Sequence, residues 1–232
     1  MLFFNRKHKL VDTKFFEGFV DYHSHVLPGV DDGIKVQDES LDTLRYFEDL
    51  GLSKLHLTPH INSATPDDMS FMDNAFESLK ANYQGNIELV LAAEYMMDSG
   101  FESKIAQGLR YLDGCNVLVE TSYMDAPNNL FEILYEVSAS GNVPVIAHPE
   151  RYLYMHRSGY SDLKDKGCDF QLNLLSLSGF YGQRVMDNAL YILERGMYNV
   201  AGSDLHDLEV FKRRVSNIKL SSKHMDMLNS LK

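Results

Sequence analysis

Short apolar runs recur along the chain between helical patterns, and this alternation restricts the fold more than any other feature. The first run ends near residue 20. The later runs occupy 54–60, 87–95, 116–122, 143–147, 169–174 and 198–204. Apolar side chains at helical spacing occupy 38–50, 71–83, 128–140 and 185–193, and residues 65–68 resemble a helix start. The run ends lie roughly 25 to 35 residues apart, the length of a strand–helix–strand unit.

This alternation predicts an α/β protein with a parallel sheet. Closed on itself, such a sheet would be a distorted seven-stranded barrel, one unit short of the eight-unit α/β barrel. An open doubly wound sheet is the alternative, but no Gly-x-Gly-x-x-Gly turn follows the first strand. We expect one domain over residues 1–232, with peripheral terminal segments at 1–17 and 212–232 and a helical, basic tail.

Composition restricts the compartment in which the protein is expected and the classes of partner that it can bind. No stretch approaches the roughly 20 apolar residues that span a bilayer, so stable membrane insertion is not expected. Residues 1–9 do not resemble a secretory signal, and we expect a loosely ordered terminus rather than a docking segment. Two cysteines in 232 residues favour a reducing cytoplasm. A net charge of −11 argues against nucleic acid as a partner.

Two histidines lie where the first strand ends. His23 and His25 are two residues apart, so an extended backbone points both to one side. The Pro-Gly and Asp-Asp-Gly sequences that follow predict a loop that can bring Asp32 back over the same place. Hydrogen-bonded core histidines would explain the pair equally well, so this motif alone leaves metal binding open.

Acidic residues or histidines also lie at or just beyond the ends of most other runs. Since the carboxyl ends of parallel strands converge in a barrel, these side chains should meet at one mouth, where they would repel one another unless cations were bound. Imidazole and carboxylate without thiolate favour manganese, iron or zinc in a catalytic site. The predicted multinuclear set is His23, His25, Asp32, His60, Glu94, Glu120, His148, Asp204 and His206.

Several motifs resemble those of the polymerase and histidinol phosphatase (PHP) superfamily. They are Asp-Tyr-His-Ser-His-Val-Leu-Pro-Gly-Val-Asp-Asp-Gly, Thr-Pro-His, Ala-Ala-Glu, Ile-Ala-His-Pro-Glu-Arg-Tyr and Gly-Ser-Asp-Leu-His. Within it, the chain is similar to the bacterial metal-dependent protein-tyrosine phosphatases of capsular and extracellular polysaccharide synthesis. Tyr22, Ser24 and Ile61 depart from the expected motif residues and bear on substrate preference more than on metal binding.

The resemblance implies a PHP-type barrel that binds two or three divalent ions, with manganese as the expected metal. It assigns His23, His25, Glu94 and Asp204 to the first ion, Glu94, Glu120 and His148 to the second, and Asp32, His60 and His206 to the third. It also implies hydrolysis of phosphotyrosine on a protein, by attack of a metal-bridging hydroxide. The expected substrate is the tyrosine-rich tail of a bacterial autophosphorylating tyrosine kinase.

Two further residues are candidates for catalysis. Arg151 follows His148 closely and suits a planar phosphate clamp, although a surface ion pair would also explain it. His206 could protonate the leaving group. Neither Cys115 nor Cys168 has an arginine six positions later, so a cysteine-dependent mechanism is not expected.

Three other functions fit part of the pattern. A related phosphatase could act on histidinol phosphate or another small phosphomonoester. A metal-dependent amidohydrolase would share the first His-x-His and the last Asp, but it leaves Asp32 and His60 unexplained. A non-catalytic binder could use the metals to capture phosphotyrosine on a kinase.

Overall fold

The structure, a computed structural model, describes residues 7–231, so most of the predicted loose terminus lies outside the described residues. The strands are β1 (Lys7–Lys9), β2 (Val20–Asp21), β3 (Lys54–Leu57), β4 (His60–Ile61), β5 (Glu88–Leu91), β6 (Glu94–Met96), β7 (Asn116–Glu120), β8 (Val143–Ala147), β9 (Asp169–Asn173), β10 (Val200–Gly202) and β11 (Lys219–Ser221). The helices are α1 (Gln37–Leu50), α2 (Ser70–Asn82), α3 (Phe101–Gln107), α4 (Leu130–Ala139), α5 (Arg157–Asp165), α6 (Gln183–Glu194), α7 (Leu208–Val215) and α8 (Ser222–Asn229).

Parallel strands form two curled sheets in the centre of the molecule. One sheet has the order β10-β9-β8-β7-β6-β4, and the other has the order β2-β3-β5. All of their strand pairs are parallel. The predicted α/β class with a parallel sheet is therefore confirmed, whereas a single seven-stranded barrel is not.

The second and third predicted strands are each divided, which is why two sheets replace one. Thr58 and Pro59 separate β3 from β4, and Ala92 and Ala93 separate β5 from β6. Proline has no amide hydrogen to donate to a ladder, so Pro59 interrupts the pairing of its strand. The sheets are nevertheless connected, because the amide of Tyr22 donates to the carbonyl of Ala201 at 3.2 Å.

Helix α1 follows the sequence pattern closely. Leu44 and Phe47 are buried, and Gly51 ends the helix in the left-handed conformation, at a φ of 94°. Glycine adopts that conformation without the cost that a Cβ imposes. Helices α4 and α6 also lie where the periodicity predicted them.

The predicted start of α2 is wrong. Residues 65–68 lie outside the helix, which begins at Ser70, and the amide of Ser70 donates to Asp68 Oδ1 at 3.0 Å. The side chain of Thr65 does not cap the helix, because its hydroxyl oxygen accepts a hydrogen bond from the amide of Asn62.

Segments near both termini pack together. Strand β1 pairs antiparallel with β11, and the tail contains this short strand between α7 and α8 rather than one helix. Phe15, Phe16 and Phe19 are buried and make ring contacts with one another. Among residues 7–231, no helix is both long and apolar enough to cross a membrane.

Candidate metal centre

The curled sheets bring the strand ends together at one side of the molecule. Strands β4 and β6 begin with His60 and Glu94, which are partners in the parallel register, and β7 ends with Glu120. His148 follows β8 directly, and Asp204 lies two residues beyond β10. Each side chain therefore takes its position from the end of a buried strand.

Glu94 is at the centre of this cluster and is fully buried. Its Oε2 atom lies 3.1 Å from His23 Nε2, 3.4 Å from His25 Nε2 and 3.1 Å from His60 Nδ1. Its Oε1 atom lies 3.1 Å from His148 Nε2. One carboxylate thus connects four imidazoles that come from different parts of the chain.

Asp204 divides its two oxygens between different neighbours. Oδ1 lies 3.5 Å from His23 Nε2, 3.3 Å from His25 Nε2 and 3.5 Å from His206 Nδ1. Oδ2 accepts hydrogen bonds from Arg151 Nη1 at 2.7 Å and from Asn173 Nδ2 at 2.6 Å. The carboxylate therefore connects the imidazole cluster to Arg151.

The outer part of the cluster is more accessible. Asp32 Oδ1 lies 3.5 Å from His60 Nε2 and 3.4 Å from His206 Nε2. His60 Nδ1 also lies 2.9 Å from Glu120 Oε1. All nine sequence-predicted side chains thus take part in one network of close contacts.

The donor atoms suit divalent cations. Glu94 Oε2 is buried and has no hydrogen-bond partner within the described residues, although three imidazole nitrogens lie near it. An ionised oxygen in that position is costly to bury unless a cation or a proton compensates it. Four groups have ligand atoms within 4.8 Å of one another: His25, Asp32, His60 and His206; His23, His25 and Asp204; His23, Glu94 and His148; and His60, Glu94 and Glu120.

Burial and neighbouring charges shift the pKa values of these groups in opposite directions. Burial alone would lower the pKa of His60, but the neighbouring carboxylates of Glu120 and Glu94 raise it to about 10. Burial and the Glu94 charge raise the pKa of Glu120 to about 6. Burial, together with the charge of Arg151, lowers the pKa of His148 to about 4. The neutral imidazole that results is the form that binds a metal ion.

A cavity of about 1040 Å³ opens over the cluster, and Arg151 lies in its wall. The guanidinium carbon is 4.5 Å from the ring centre of Tyr123 and 4.1 Å from that of Tyr181. Cation–π contact with both rings and the ion pair with Asp204 hold the side chain in place. Arg151 is therefore a structured part of the cavity and not a mobile surface side chain.

Sequence reasoning missed several residues that hold the cluster. Asp31 Oδ2 accepts hydrogen bonds from His25 Nδ1 at 2.7 Å and from the amide of His60 at 3.1 Å. The Asp-Asp-Gly turn contained this signal, but only its second carboxylate was assigned a role. Asn173 and Gln171 were also missed, although both are polar residues within an apolar strand.

Two non-glycine residues in the cluster have a left-handed backbone. His148 has a φ of 34° and Asp204 a φ of 51°. Such conformations are uncommon outside glycine and persist only where the surrounding structure holds them, often at functional sites. Both residues belong to the predicted ligand set.

Two curated proteins are similar to this chain over most of its length. Tyrosine-protein phosphatase CpsB of Streptococcus pneumoniae is 30% identical over 206 residues, covering 82% of this chain and 84% of that protein. Tyrosine-protein phosphatase YwqE of Bacillus subtilis is 28% identical over 198 residues, covering 82% and 78%.

Solved structures extend the likeness to the fold. A structure from the work on YwqE of B. subtilis and CpsB of S. pneumoniae, described as unique metal-dependent tyrosine phosphatases, superposes with a TM-score of 0.74 at 25% identity over 83% of this chain and 81% of that one. A phosphotriesterase homology protein from Escherichia coli shares the fold at a TM-score of 0.54 and 12% identity, over 90% and 95% of the two chains. The family model for capsular polysaccharide synthesis proteins of the CpsB/CapC type matches residues 19–226, and the chain therefore belongs to that family.

Proposed function

We propose that the protein is a metal-dependent phosphatase that hydrolyses phosphotyrosine on a protein. One observation carries this proposal: Asp204 joins a cluster of candidate metal ligands to an arginine in the wall of the same cavity. Cations and a guanidinium side by side are what a phosphoryl group needs for recognition and charge stabilisation. The names of the family relatives agree with this activity.

Two or three divalent ions would be held by the nine side chains. The His23, His25 and Asp204 group, with Glu94 adjoining it, suits a first ion. Glu94 contacts His148 directly, and His60 lies between Glu94 and Glu120. The Glu94 carboxylate is therefore suited to be shared between the first ion and a second ion held with Glu120 and His148. Asp32, His60 and His206 suit a third. Manganese fits best, because the donors are imidazole and carboxylate without thiolate, and iron or zinc would also be accepted.

Bound ions would supply an activated water and neutralise charge on the phosphoryl oxygens. The side chains of this protein would do the rest. Arg151 already donates to Asp204 through Nη1, so its other N–H groups can bind the phosphoryl oxygens of a substrate in the cavity. Tyr123 and Tyr181 keep the guanidinium plane in position for this contact.

The primary role of His206 is that of a metal ligand, and its role as a general acid is secondary. Its Nε2 atom lies 3.4 Å from Asp32 Oδ1, and it forms a potential metal group with His25, Asp32 and His60. A tyrosine leaving group has a pKa near 10 when free, so it needs less help from an acid than an alkyl alcohol does. As a secondary role, His206 donates a proton to the leaving group.

The shape of the cavity favours a polypeptide substrate over a small metabolite. Its volume of about 1040 Å³ is at the upper end of the range for small-molecule pockets. Phe71 and Phe180 line the cavity and are partly exposed. Such a mouth suits an aromatic phosphate on a protein chain, and we propose a bacterial tyrosine kinase as that protein. The free cysteines agree with a reducing cytoplasm as the site of action.

We further propose that the two sheets are one seven-stranded barrel with interruptions. A hydrogen bond from the amide of His25 to the carbonyl of Leu205 connects the ends of β2 and β10 across the two sheets, and one from the amide of Thr58 to the carbonyl of Ser24 continues the β2–β3 pairing. One large hydrophobic cluster that includes both Leu10 and Leu231 supports one domain.

The deciding experiment measures hydrolysis of an aryl phosphate by protein stripped of metal and then resupplied with manganese. We expect no turnover after stripping and recovery on addition of Mn²⁺; turnover that survives stripping would contradict the proposal. Comparison of a phosphotyrosine peptide with histidinol phosphate then tests the substrate class. A strong preference for histidinol phosphate would assign the protein to small-molecule phosphatases instead.

A further inference from the structure

Strand β9 ends without any of the predicted metal ligands, yet it contacts the centre through two amides. Gln171 and Asn173 are both fully buried. They are two residues apart on the strand, so both side chains point to the same face of the sheet. Burying two amides in an apolar strand is costly unless each finds specific partners.

Gln171 contacts two of the predicted metal ligands. Its Oε1 atom lies 3.0 Å from His23 Nδ1 and accepts a hydrogen bond from the amide of His148 at 3.1 Å. The orientation of the side-chain amide is determined, because Nε2 donates to the carbonyl of Leu172. An acceptor beside Nδ1 keeps the proton on that nitrogen, so the Nε2 lone pair of His23 faces Glu94 and Asp204.

Asn173 contacts the part of the centre that adjoins Arg151. Its Nδ2 donates to Asp204 Oδ2 at 2.6 Å and to the Tyr181 hydroxyl at 3.2 Å. Its Oδ1 accepts from the amide of Leu175 at 2.8 Å, and its own amide donates to Glu150 Oε1 at 3.0 Å. These partners leave only one orientation for the side chain, and that orientation directs Asp204 Oδ2 away from the imidazoles.

The same two amides hold the two residues with left-handed backbones. Gln171 accepts from the amide of His148, and Asn173 donates to the side chain of Asp204. Since those conformations must be stabilised by their surroundings, β9 supplies part of that stabilisation at both positions.

We propose that Gln171 and Asn173 are positioning residues with different tasks. Gln171 sets the orientation and tautomer of His23 for metal binding. Asn173 holds the Asp204 carboxylate so that Oδ1 serves the metal centre while Oδ2 orients Arg151 toward phosphate. This proposal rests on the proposed function for the phosphate, but the role of Gln171 depends only on metal binding.

The first experiment titrates Mn²⁺ into metal-free protein by calorimetry. Gln171→Met keeps the length of the side chain and removes the acceptor, and we expect its affinity for Mn²⁺ to fall about 10- to 100-fold, as for other partners of metal-bound histidine. Gln171→Glu keeps an acceptor for both donors but loses the donor to the carbonyl of Leu172, so its affinity should lie above that of Gln171→Met. Equal affinities for Gln171→Met and the parent would overturn the assignment.

The second experiment measures inhibition of aryl phosphate hydrolysis by inorganic phosphate at saturating Mn²⁺. Asn173→Leu should raise both KM and the phosphate inhibition constant about tenfold or more, because Asp204 would no longer hold Arg151 in place for charge-assisted hydrogen bonds to phosphate. Gln171→Met should leave the inhibition constant unchanged once metal is saturating. If Asn173→Leu fails to fold, the same measurement is made on Asn173→Ser, which removes the same amide donor at a lower packing cost.

A matched control lies outside the centre. The Asn199 side chain accepts from the amide of Phe170 in β9 and from Lys164, so Asn199→Ala perturbs the same strand without touching the ligands. We expect it to change neither metal affinity nor phosphate inhibition. If Asn199→Ala changed metal affinity and phosphate inhibition as strongly as the two β9 variants, Gln171 and Asn173 would contribute only to general stability and not to positioning. Parent protein that binds Mn²⁺ but hydrolyses nothing would contradict the proposed function and leave the calorimetric test of Gln171 decisive.

Discussion

Arg151 and Asp204 form an ion pair in which Nη1 lies 2.7 Å from Oδ2, while Oδ1 of the same carboxylate faces three imidazoles. The pair is largely shielded from water, with side-chain exposures of 17% and 3%. A single carboxylate thus relates the position of the candidate phosphate clamp to the position of the metal centre. Changes on either side of this pair should have separable effects.

Arg151→Ala should raise KM for an aryl phosphate about 10- to 100-fold at saturating metal, because it removes charge-assisted hydrogen bonds to the phosphoryl group. Steady-state kinetics would show this. Arg157→Ala is the matched control, since Arg157 also stacks on a tyrosine, at 4.1 Å from the ring centre of Tyr191, but is not part of the cavity wall. Unchanged KM for Arg151→Ala would remove the residue from substrate binding.

Glu94→Gln should abolish measurable turnover and lower the amount of bound metal, because it replaces the charge that four imidazoles surround. We expect a loss of at least about 10³-fold, comparable with removal of a central electrostatic group. Glu88→Gln is the control, since Glu88 lies on the neighbouring β5 and its side chain is 66% exposed. Metal analysis together with an activity assay would detect the difference, and full metal content in Glu94→Gln would refute the central ligand role.

Manganese should raise the melting temperature of metal-free protein. Binding to the folded state alone at 100 times the dissociation constant adds about 2.7 kcal/mol, and each kcal/mol raises Tm by about 2–4 °C in a chain of this size. Thermal unfolding followed by circular dichroism would show a rise of roughly 5–10 °C. Identical melting curves with and without Mn²⁺ would argue against a preformed centre.

Gly202→Ala should disturb the centre through packing alone. A Cβ at this position would lie 2.6 Å from His23 Cβ and 2.8 Å from its amide nitrogen, so His23 or the strand must move. Overpacking of this kind costs about 1–3 kcal/mol, and the moved imidazole should also weaken metal binding. Denaturant unfolding and Mn²⁺ titration would test the two effects. An unchanged free energy of unfolding and an unchanged Mn²⁺ affinity would show that the strand accommodates the added methyl group without cost.

Thiol reagents should not inhibit the enzyme. Burial raises the pKa of the Cys168 thiol to about 12, so the reactive thiolate is scarce at neutral pH. Cys115 is exposed and is absent from the cavity wall. Mass spectrometry should find one alkylated cysteine with full activity, whereas inactivation that tracks alkylation would contradict a metal-dependent mechanism.

Local sequence patterns could predict where the candidate ligands meet. His23, Glu120 and His148 each follow or end an apolar run, and parallel strands bring such ends to one edge of a sheet. Helix α1 was equally predictable, because its apolar spacing and the terminal glycine act within a few residues of one another.

Partners distant in the chain were not predictable in this way. Alternation along β9 indicates that Gln171 and Asn173 share a face, but it does not name His23 and Asp204 as their partners. The division of the strands was missed for the same reason, since Pro59 reads as a strand end and not as the point where pairing changes from one sheet to the other.

The sequence by itself determined the α/β class and the identity of the side chains that converge near the ends of the apolar runs, because these follow from periodicities within single segments. Only the tertiary structure decided which oxygen of Asp204 faces the imidazoles and which faces Arg151. It also showed that Asp31 holds His25 while Asp32 faces His60 and His206. Such choices depend on atoms from segments far apart in the chain, whose relative placement follows from how the whole core packs.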